Sequence, residues 1–231
     1  MAKPSLISSF VLVSLWTMNL FAITPEDLEK RYKDLPTVPE SEMPELTNEP
    51  TSFRGLIEHE GLEGHTWVAF PFVENPGSLG FDPQGRLYVA EANRFWQGVP
   101  DLRGANEYIR DDFQAVTVED RMKLYEKFAS SIPLAWYTRV ADRIILLEDK
   151  DGNDAADFRT VFSDRFKEPL DGIGFSILAD DGSVYFTCIP NVWKLTDTDG
   201  DGVADEEEAI STGYGVRISF IGHDLHGITR G

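Results

Sequence analysis

The sequence predicts an all-β fold: a partial β-propeller of about two to three four-stranded blades with a helical insertion. Two observations predict it. An acidic loop occurs twice at a spacing of 48 residues, and a strand–turn–strand pattern recurs along the chain. Repeats of this length with short strands and Gly/Asp turns are typical of propeller blades. A propeller usually has about four to eight blades, so the chain is expected to be an N-terminal fragment of a longer protein.

The second acidic loop follows a short apolar run, 192–195, and carries oxygen side chains at alternate positions. Calcium takes roughly six to eight oxygen ligands, which such a loop can supply. An EF-hand needs a helix on each side, whereas the run 192–195 is β-branched and aromatic and predicts a strand. We therefore expect a calcium loop within a β-hairpin; the alternative is a solvated Asp/Gly turn without metal. The candidate ligands are Asp197, Asp199, Asp201, Asp205 and Glu208, with Gly202 at the turn.

The first acidic loop has the same construction but fits calcium less well. Asp154 stands at the position of the turn glycine, and Thr160 stands where the second loop has Glu208. Calcium and a metal-free turn are about equally consistent with it. Its candidate ligands are Asp149, Asp151, Asn153 and Asp157.

The hairpin pattern defines the repeat and the insertion. It occurs at 77–90 and 172–186, and a third copy begins at 227. The first two copies lie further apart than the second and third, and the number of extra residues between them matches the length of the segment 96–137. Within that segment, near 105–130, apolar residues at helical spacing follow Thr117, a candidate N-cap, so we predict a helical insertion between two strands. The run 67–70 predicts a further short strand.

The N-terminal part of the chain divides into two segments before the β domain. Residues 1–22 resemble a cleaved signal peptide, with an uncleaved anchor as the alternative. Residues 23–52 are rich in Pro and Glu and predict a flexible linker. The propeller domain then covers 53–231. We expect an exported protein, periplasmic or extracellular, without a stable membrane span after signal cleavage.

Composition excludes some functions. A formal net charge of −19 argues against nucleic-acid binding, which requires basic surfaces. The single cysteine, Cys188, excludes an internal disulfide and reads as a small buried residue. No Cys-x-x-Cys-His motif is present for covalent attachment of haem.

Several segments together resemble a known family. They are 117–121, 147–152, 190–202 and 215–227, the last containing Gly222-His223-Asp224-Leu225-His226-Gly227. These segments resemble the secreted β-propeller proteins of planctomycetes and related bacteria that are named membrane-bound dehydrogenases. The resemblance covers roughly 53–231. It implies that longer relatives carry the remaining propeller blades, helical repeats or a cytochrome module as partners.

That family's propeller is in turn similar to soluble quinoprotein dehydrogenases that oxidise glucose or sorbosone. The resemblance implies calcium, a pyrroloquinoline quinone (PQQ) cofactor and oxidation of a sugar or polyol. It also implies that His223 is the general base, a role that an imidazole near its ordinary pKa suits. It assigns no quinone-binding residue in this chain.

Other interpretations stay open at this stage. His223 and His226 could instead hold a metal ion or form hydrogen bonds at a channel mouth. The domain could be a non-catalytic propeller that binds a ligand or protein, or an inactive fragment of a longer protein.

Overall fold

The chain forms eight strands and three helices within residues 66–180, 182–217 and 224–231, which the computed structural model describes. The prediction of a mainly β chain with few helices is confirmed. In chain order the elements are β1 Pro76–Phe81, β2 Leu87–Glu91, α1 Asn106–Asp112, α2 Val118–Lys127, α3 Leu134–Tyr137, β3 Asp142–Glu148, β4 Phe158–Phe166, β5 Ser176–Asp180, β6 Ser183–Cys188, β7 Asn191–Thr196 and β8 Glu206–Thr212.

The strands form two four-stranded antiparallel sheets, each with sequential strands side by side. Sheet I has the order β1-β2-β3-β4, and sheet II has the order β5-β6-β7-β8. Leu87 pairs with Leu147 in sheet I, and Val184 pairs with Leu195 at the corresponding place in sheet II. In each sheet an acidic loop joins the third strand to the fourth. A position in one sheet can therefore be compared with its counterpart in the other.

One face of sheet I packs against one face of sheet II, and this contact forms the largest core. Burying a large apolar side chain stabilises a fold by about 1.5–3 kcal/mol, so this contact is a major source of stability. Gly80 lets the sheets approach, because a Cβ there would lie 3.0 Å from Ile177 Cγ2. The buried residues are Tyr88, Ala90, Ile144, Leu146, Phe162, Phe166, Ile177, Ala179, Val184, Phe186, Cys188, Trp193 and Leu195.

The opposite face of sheet I is covered in part by the segment 66–73. Phe72 is buried against Leu87, Val89, Ile145 and Leu147 of β2 and β3. The structure has no strand at 67–70: the chain bends at Trp67 and a turn begins at Phe70, so the predicted strand does not form there. The second hairpin also begins later than predicted, since β5 starts at Ser176, and no strand is assigned at 227–231.

The three helices lie between β2 and β3, within the range 96–137 where the sequence predicts an insertion. Thr117 caps α2: its hydroxyl accepts the N–H of Asp120, whose carboxylate accepts the N–H of Thr117. This reciprocal pair satisfies two N–H groups that a helix start leaves open. The insertion has its own core of Leu102, Ala105, Tyr108, Leu124, Tyr125, Ile132, Trp136 and Tyr137.

A buried carboxylate joins the insertion to both sheets. Asp142, at the start of β3, accepts the N–H of Arg94 at 2.6 Å and the N–H of Gly174 at 2.8 Å. The buried Arg94 guanidinium donates to the carbonyls of Tyr137 (2.7 Å) and Asp171 (2.8 Å). Burial raises the pKa of Asp142 to about 7, against the opposing effect of the two N–H groups.

No helix in the described ranges is long and apolar enough to cross a membrane. The predicted signal peptide (1–22) and linker (23–52) lie outside the described residues, as does the start of the predicted propeller domain up to residue 65.

Asp142 predicts a specific pH dependence of stability. Its folded pKa is raised, so between about pH 4 and 7 the folded chain holds a proton that the unfolded chain releases. The free energy of unfolding should therefore fall as pH rises through this window. Comparing urea denaturation of the wild type and Asp142→Asn cancels the other titrating groups. The wild-type advantage should shrink by more than about 1 kcal/mol between pH 4.5 and 7.5. A constant difference would contradict the buried position of Asp142.

Candidate metal centres

Each acidic loop brings three carboxylates together. One oxygen from each of Asp149, Asp151 and Asp157 lies within 4.8 Å of the other two, and Asp197, Asp199 and Asp205 form the same arrangement. We call these groups triad I and triad II. Each member of triad II stands 48 residues after its counterpart. The first member of each triad is partly buried and the other two are exposed.

The first aspartate of each triad folds the loop around itself. Asp149 Oδ1 accepts the N–H of Gly152 at 2.8 Å, and Asp197 Oδ1 accepts the N–H of Gly200 at 2.7 Å. Asp149 Oδ2 accepts the N–H of Asp154, and Asp197 Oδ2 accepts the N–H of Gly202, both at 2.9 Å. Two different sequences therefore adopt one hydrogen-bonded loop.

The last aspartate closes each loop. Asp157 Oδ1 accepts the N–H of Lys150 at 2.8 Å, and Asp205 Oδ2 accepts the N–H of Thr198 at 2.7 Å. The Thr198 hydroxyl donates to the same Asp205 oxygen at 2.8 Å. These bonds, the backbone one first, lower the pKa of Asp205. The carboxylate is thus kept ionised, which is the form a cation needs.

Both loops have a left-handed backbone conformation, with positive φ, at the same two positions. Gly152 and Gly200 have φ of 75° and 82°, and Asp154 and Gly202 have φ of 64° and 89°. Asp tolerates this conformation better than most residues because its short polar side chain can bond locally. In the sequence, Asp154 at the glycine position makes the first loop a poorer match to a calcium loop. The structure shows that Asp154 adopts the same left-handed conformation as Gly202, so both loops follow the same backbone path.

Three other predicted ligands lie outside the triads. Asn153 Oδ1 accepts the N–H of Ala155, and Asp201 Oδ1 accepts the N–H of Val203 at the equivalent place. Glu208 lies in β8, opposite Lys194 of β7. Their role as ligands stays a prediction.

Each loop also binds the layer of structure before it. The N–H of Ala204 donates to the carbonyl of Phe162 in β4 at 2.9 Å, and a Cβ on the buried Gly202 would lie 2.9 Å from Thr160 Cγ2. In the first loop the N–H of Ala156 donates to the carbonyl of Trp67 at 2.8 Å. Sequence reasoning missed these contacts. The signal for them was an alanine directly before the last aspartate of both loops.

His223, the predicted base, lies outside the described residues, but the next residues are placed. Asp224 Oδ2 accepts the N–H of Ile173 at 2.8 Å, and the carbonyl of Leu225 accepts the hydroxyl of Thr187 at 2.6 Å. His226 is exposed, with its ring 6.3 Å from that of Phe175. These contacts are at the end of sheet II where β5 begins and β6 ends. Triad II follows the end of β7, at the opposite end of the sheet.

A family model described as "Domain of unknown function (DUF7133)" matches residues 50–227. The chain belongs to this family. The matched region of this DUF7133 chain contains both sheets, the helical insertion and both triads. Neither the curated proteins nor the solved structures include a match.

Substitution of Gly202 tests whether the loop that carries triad II packs against sheet I. Alanine at Gly202 or Gly200 meets the same unfavourable positive φ, but only at Gly202 does the new Cβ overlap a neighbour, since nothing lies within 4 Å of the Cβ position at Gly200. Overpacking costs about 1–3 kcal/mol. We expect Gly202→Ala to lose that much more stability than Gly200→Ala in chemical denaturation. Equal losses would mean that the loop does not pack on sheet I in solution.

Proposed function

We propose that this chain is an exported calcium-binding β-propeller module in which two calcium ions stabilise the contact between successive layers. The observation that carries the proposal is the pair of matching carboxylate triads at the same place in two sheets. One acidic turn is common on protein surfaces; two with the same hydrogen bonds and backbone path indicate one repeated chemical task.

The donor set favours calcium over transition metals. The triads offer carboxylate oxygens, which suit hard cations such as calcium, and contain no histidine or cysteine. Asp149, Asp151 and Asp157 would hold one ion and Asp197, Asp199 and Asp205 the other. Asn153, Asp201 and Glu208 are the further oxygen side chains proposed as ligands. Export would expose both sites to calcium.

The contacts of the loops indicate which part of the structure the ions would stabilise. The residue before the last aspartate of each loop, Ala156 or Ala204, bonds to the preceding layer. Three like charges held close together repel one another, and a bound cation removes that repulsion. Calcium would therefore stabilise the loop in the conformation that makes this contact.

Calcium titration tests the proposal. Isothermal titration should find two ions per chain, and Asp151→Asn or Asp199→Asn should each remove one, because Asn keeps the hydrogen-bonding oxygen but not the charge. Calcium should also raise the melting temperature, with about 2.7 kcal/mol of stabilisation for each occupied site at a hundredfold excess over Kd. Glu107→Gln, which alters an exposed carboxylate of the helical insertion, is the control. No binding heat and no thermal shift would overturn the proposal.

A second candidate function is oxidation of a sugar or polyol, and it rests on the family resemblance. His223 would take the proton of a substrate hydroxyl while the hydride on the same carbon passes to a two-electron acceptor, leaving a carbonyl. The residues that follow His223 in the sequence, Asp224, Leu225 and His226, lie at one end of sheet II. This location is separate from both triads, so loop calcium would have no part in the chemistry.

The described residues near that end fit PQQ, which carries three carboxylates, only in part. Asp224 is acidic, and the Arg94 guanidinium is buried and bonded to backbone carbonyls. Arg217 is exposed and lies two residues after Gly215, which packs against Ile189 at this end of sheet II. An anionic quinone needs several exposed cationic donors, so a quinone site would require groups in addition to Arg217.

A dye-reduction assay with PQQ, calcium and a panel of sugars distinguishes catalysis from binding alone. Catalysis predicts reduction of the dye by the wild type and a loss of about 10²–10⁴-fold in His223→Asn. His226→Asn should retain activity, because the exposed His226 has no role in the proposed step. If no sugar supports reduction, the non-catalytic propeller is the better description.

A further inference from the structure

A cleft of ≈ 440 Å³ lies between the helical insertion and the chain that leaves sheet II. Ala115 and Val116, in the turn from α1 to α2, line one side of it, and Val216 and Arg217, shortly after β8, line the other. The two sides are joined by a hydrogen bond from Arg217 Nε to the carbonyl of Ala115 at 3.4 Å. The cleft lies at the end of sheet II opposite triad II and shares no residue with either triad.

The side of the cleft that the insertion provides is held by hydrogen bonds and exposes apolar side chains. The N–H of Val116 donates to Asp120 Oδ2 at 3.2 Å, and the N–H of Ala115 donates to the carbonyl of Asp112 at 3.0 Å. Val116 is nevertheless 76% exposed, and Phe113, three residues earlier, is 62% exposed. Two exposed apolar side chains in one short turn beside a cleft indicate a surface that binds an apolar group.

The opposite side of the cleft is attached to sheet II. The N–H groups of Gly213 and Tyr214 donate to the carbonyl of Pro190 at 3.0 and 3.2 Å. Gly215 has a φ of 62°, and a Cβ there would lie 2.5 Å from Ile189 Cδ1, so only glycine fits this close contact. Because both sides are held in place by the fold, a ligand would pay little entropy to organise the cleft.

Arg217 gives the cleft a positive charge and defines the kind of ligand that fits. It is exposed, and no carboxylate is among the described residues that line the cleft. The chain has 40 acidic and 21 basic residues, yet Arg217 has no ion pair within the described ranges. A guanidinium presents planar N–H donors that match a carboxylate. A cation beside apolar walls is therefore complementary to a carboxylate carried by an apolar group.

We propose that this cleft binds a small monocarboxylic acid with an apolar body. Arg217 would bind the carboxylate, while Val116 and Val216 would contact the apolar body. A single cation suits one carboxylate, which separates this ligand from a quinone with three. Binding in this cleft would require neither calcium nor catalysis.

Titration of the isotope-labelled full chain with hexanoate, followed by NMR in the presence of EDTA, tests the proposal. Amide shifts should be largest at 115–116 and 216–217, with a Kd in the millimolar range or below, as expected for a ligand of about eight heavy atoms. Acetate, which lacks the apolar body, and 1-hexanol, which lacks the charge, should each bind at least about tenfold more weakly. Equal binding of either one, or no shift at these residues, overturns the proposal.

Variants of the two sides separate recognition of the charge from recognition of the apolar body. Arg217→Gln should weaken hexanoate binding by about tenfold and leave the binding of 1-hexanol unchanged. Arg110→Gln removes another exposed arginine of the insertion, one that does not line the cleft, and should have no effect. Val116→Ser alters a side chain that is mostly in solvent, so it should fold and weaken hexanoate but not acetate. Unchanged hexanoate affinity in folded Arg217→Gln or in Val116→Ser overturns the proposal.

Discussion

The two hydrogen bonds to the buried Asp142 carboxylate fix the arrangement on which the rest of the structure depends. One comes from Arg94, after sheet I's second strand, and the other from Gly174, just before sheet II begins. Arg94 in turn binds carbonyls of the insertion and of the link between the sheets. A buried carboxylate without partners would be costly, so the energetic balance requires all three segments to be in place together. The relative position of the two sheets follows, and with it the position of each acidic loop.

The acidic loops add a second link between layers, at the other end of the sheets. Each is attached to its own sheet by an aspartate that binds backbone N–H groups, and to the preceding layer by one backbone hydrogen bond. The Asp142 link is buried and made entirely within the protein. The loop link places three carboxylates together at the surface and so favours a cation. Stability of the repeat would thus depend on calcium at one end and on pH at the other.

The parts of this structure that the sequence predicts are local. The acidic spacing, the hairpin turns and the Thr117 cap each depend on a few neighbouring residues, and β7 and β8 flank the second loop as predicted. Arg94 and Asp142 could not be found this way, because an isolated charged residue reads as surface until its distant partners are known. The run 67–70 reads as a strand, but strand formation depends on a neighbour that local pattern does not supply. Leu79 of β1 and Ile177 of β5 likewise follow the same alternation; Leu79 is exposed and Ile177 is buried between the sheets, a difference that only packing decides.

The separation between the triads and the segment after His223 constrains any catalytic account. Triad II and residues 224–226 lie at opposite ends of sheet II, where β5, β6 and β7 are five to six residues long. Such a strand spans roughly 17–20 Å, too far for a loop-bound ion to polarise a substrate held beside residues 224–226. Calcium dependence of stability and calcium dependence of turnover would therefore have separate origins in this chain. Turnover that required calcium after both triads had been removed would point to a further ion at the histidine end, whereas turnover lost in step with the melting temperature would need nothing beyond the two loops.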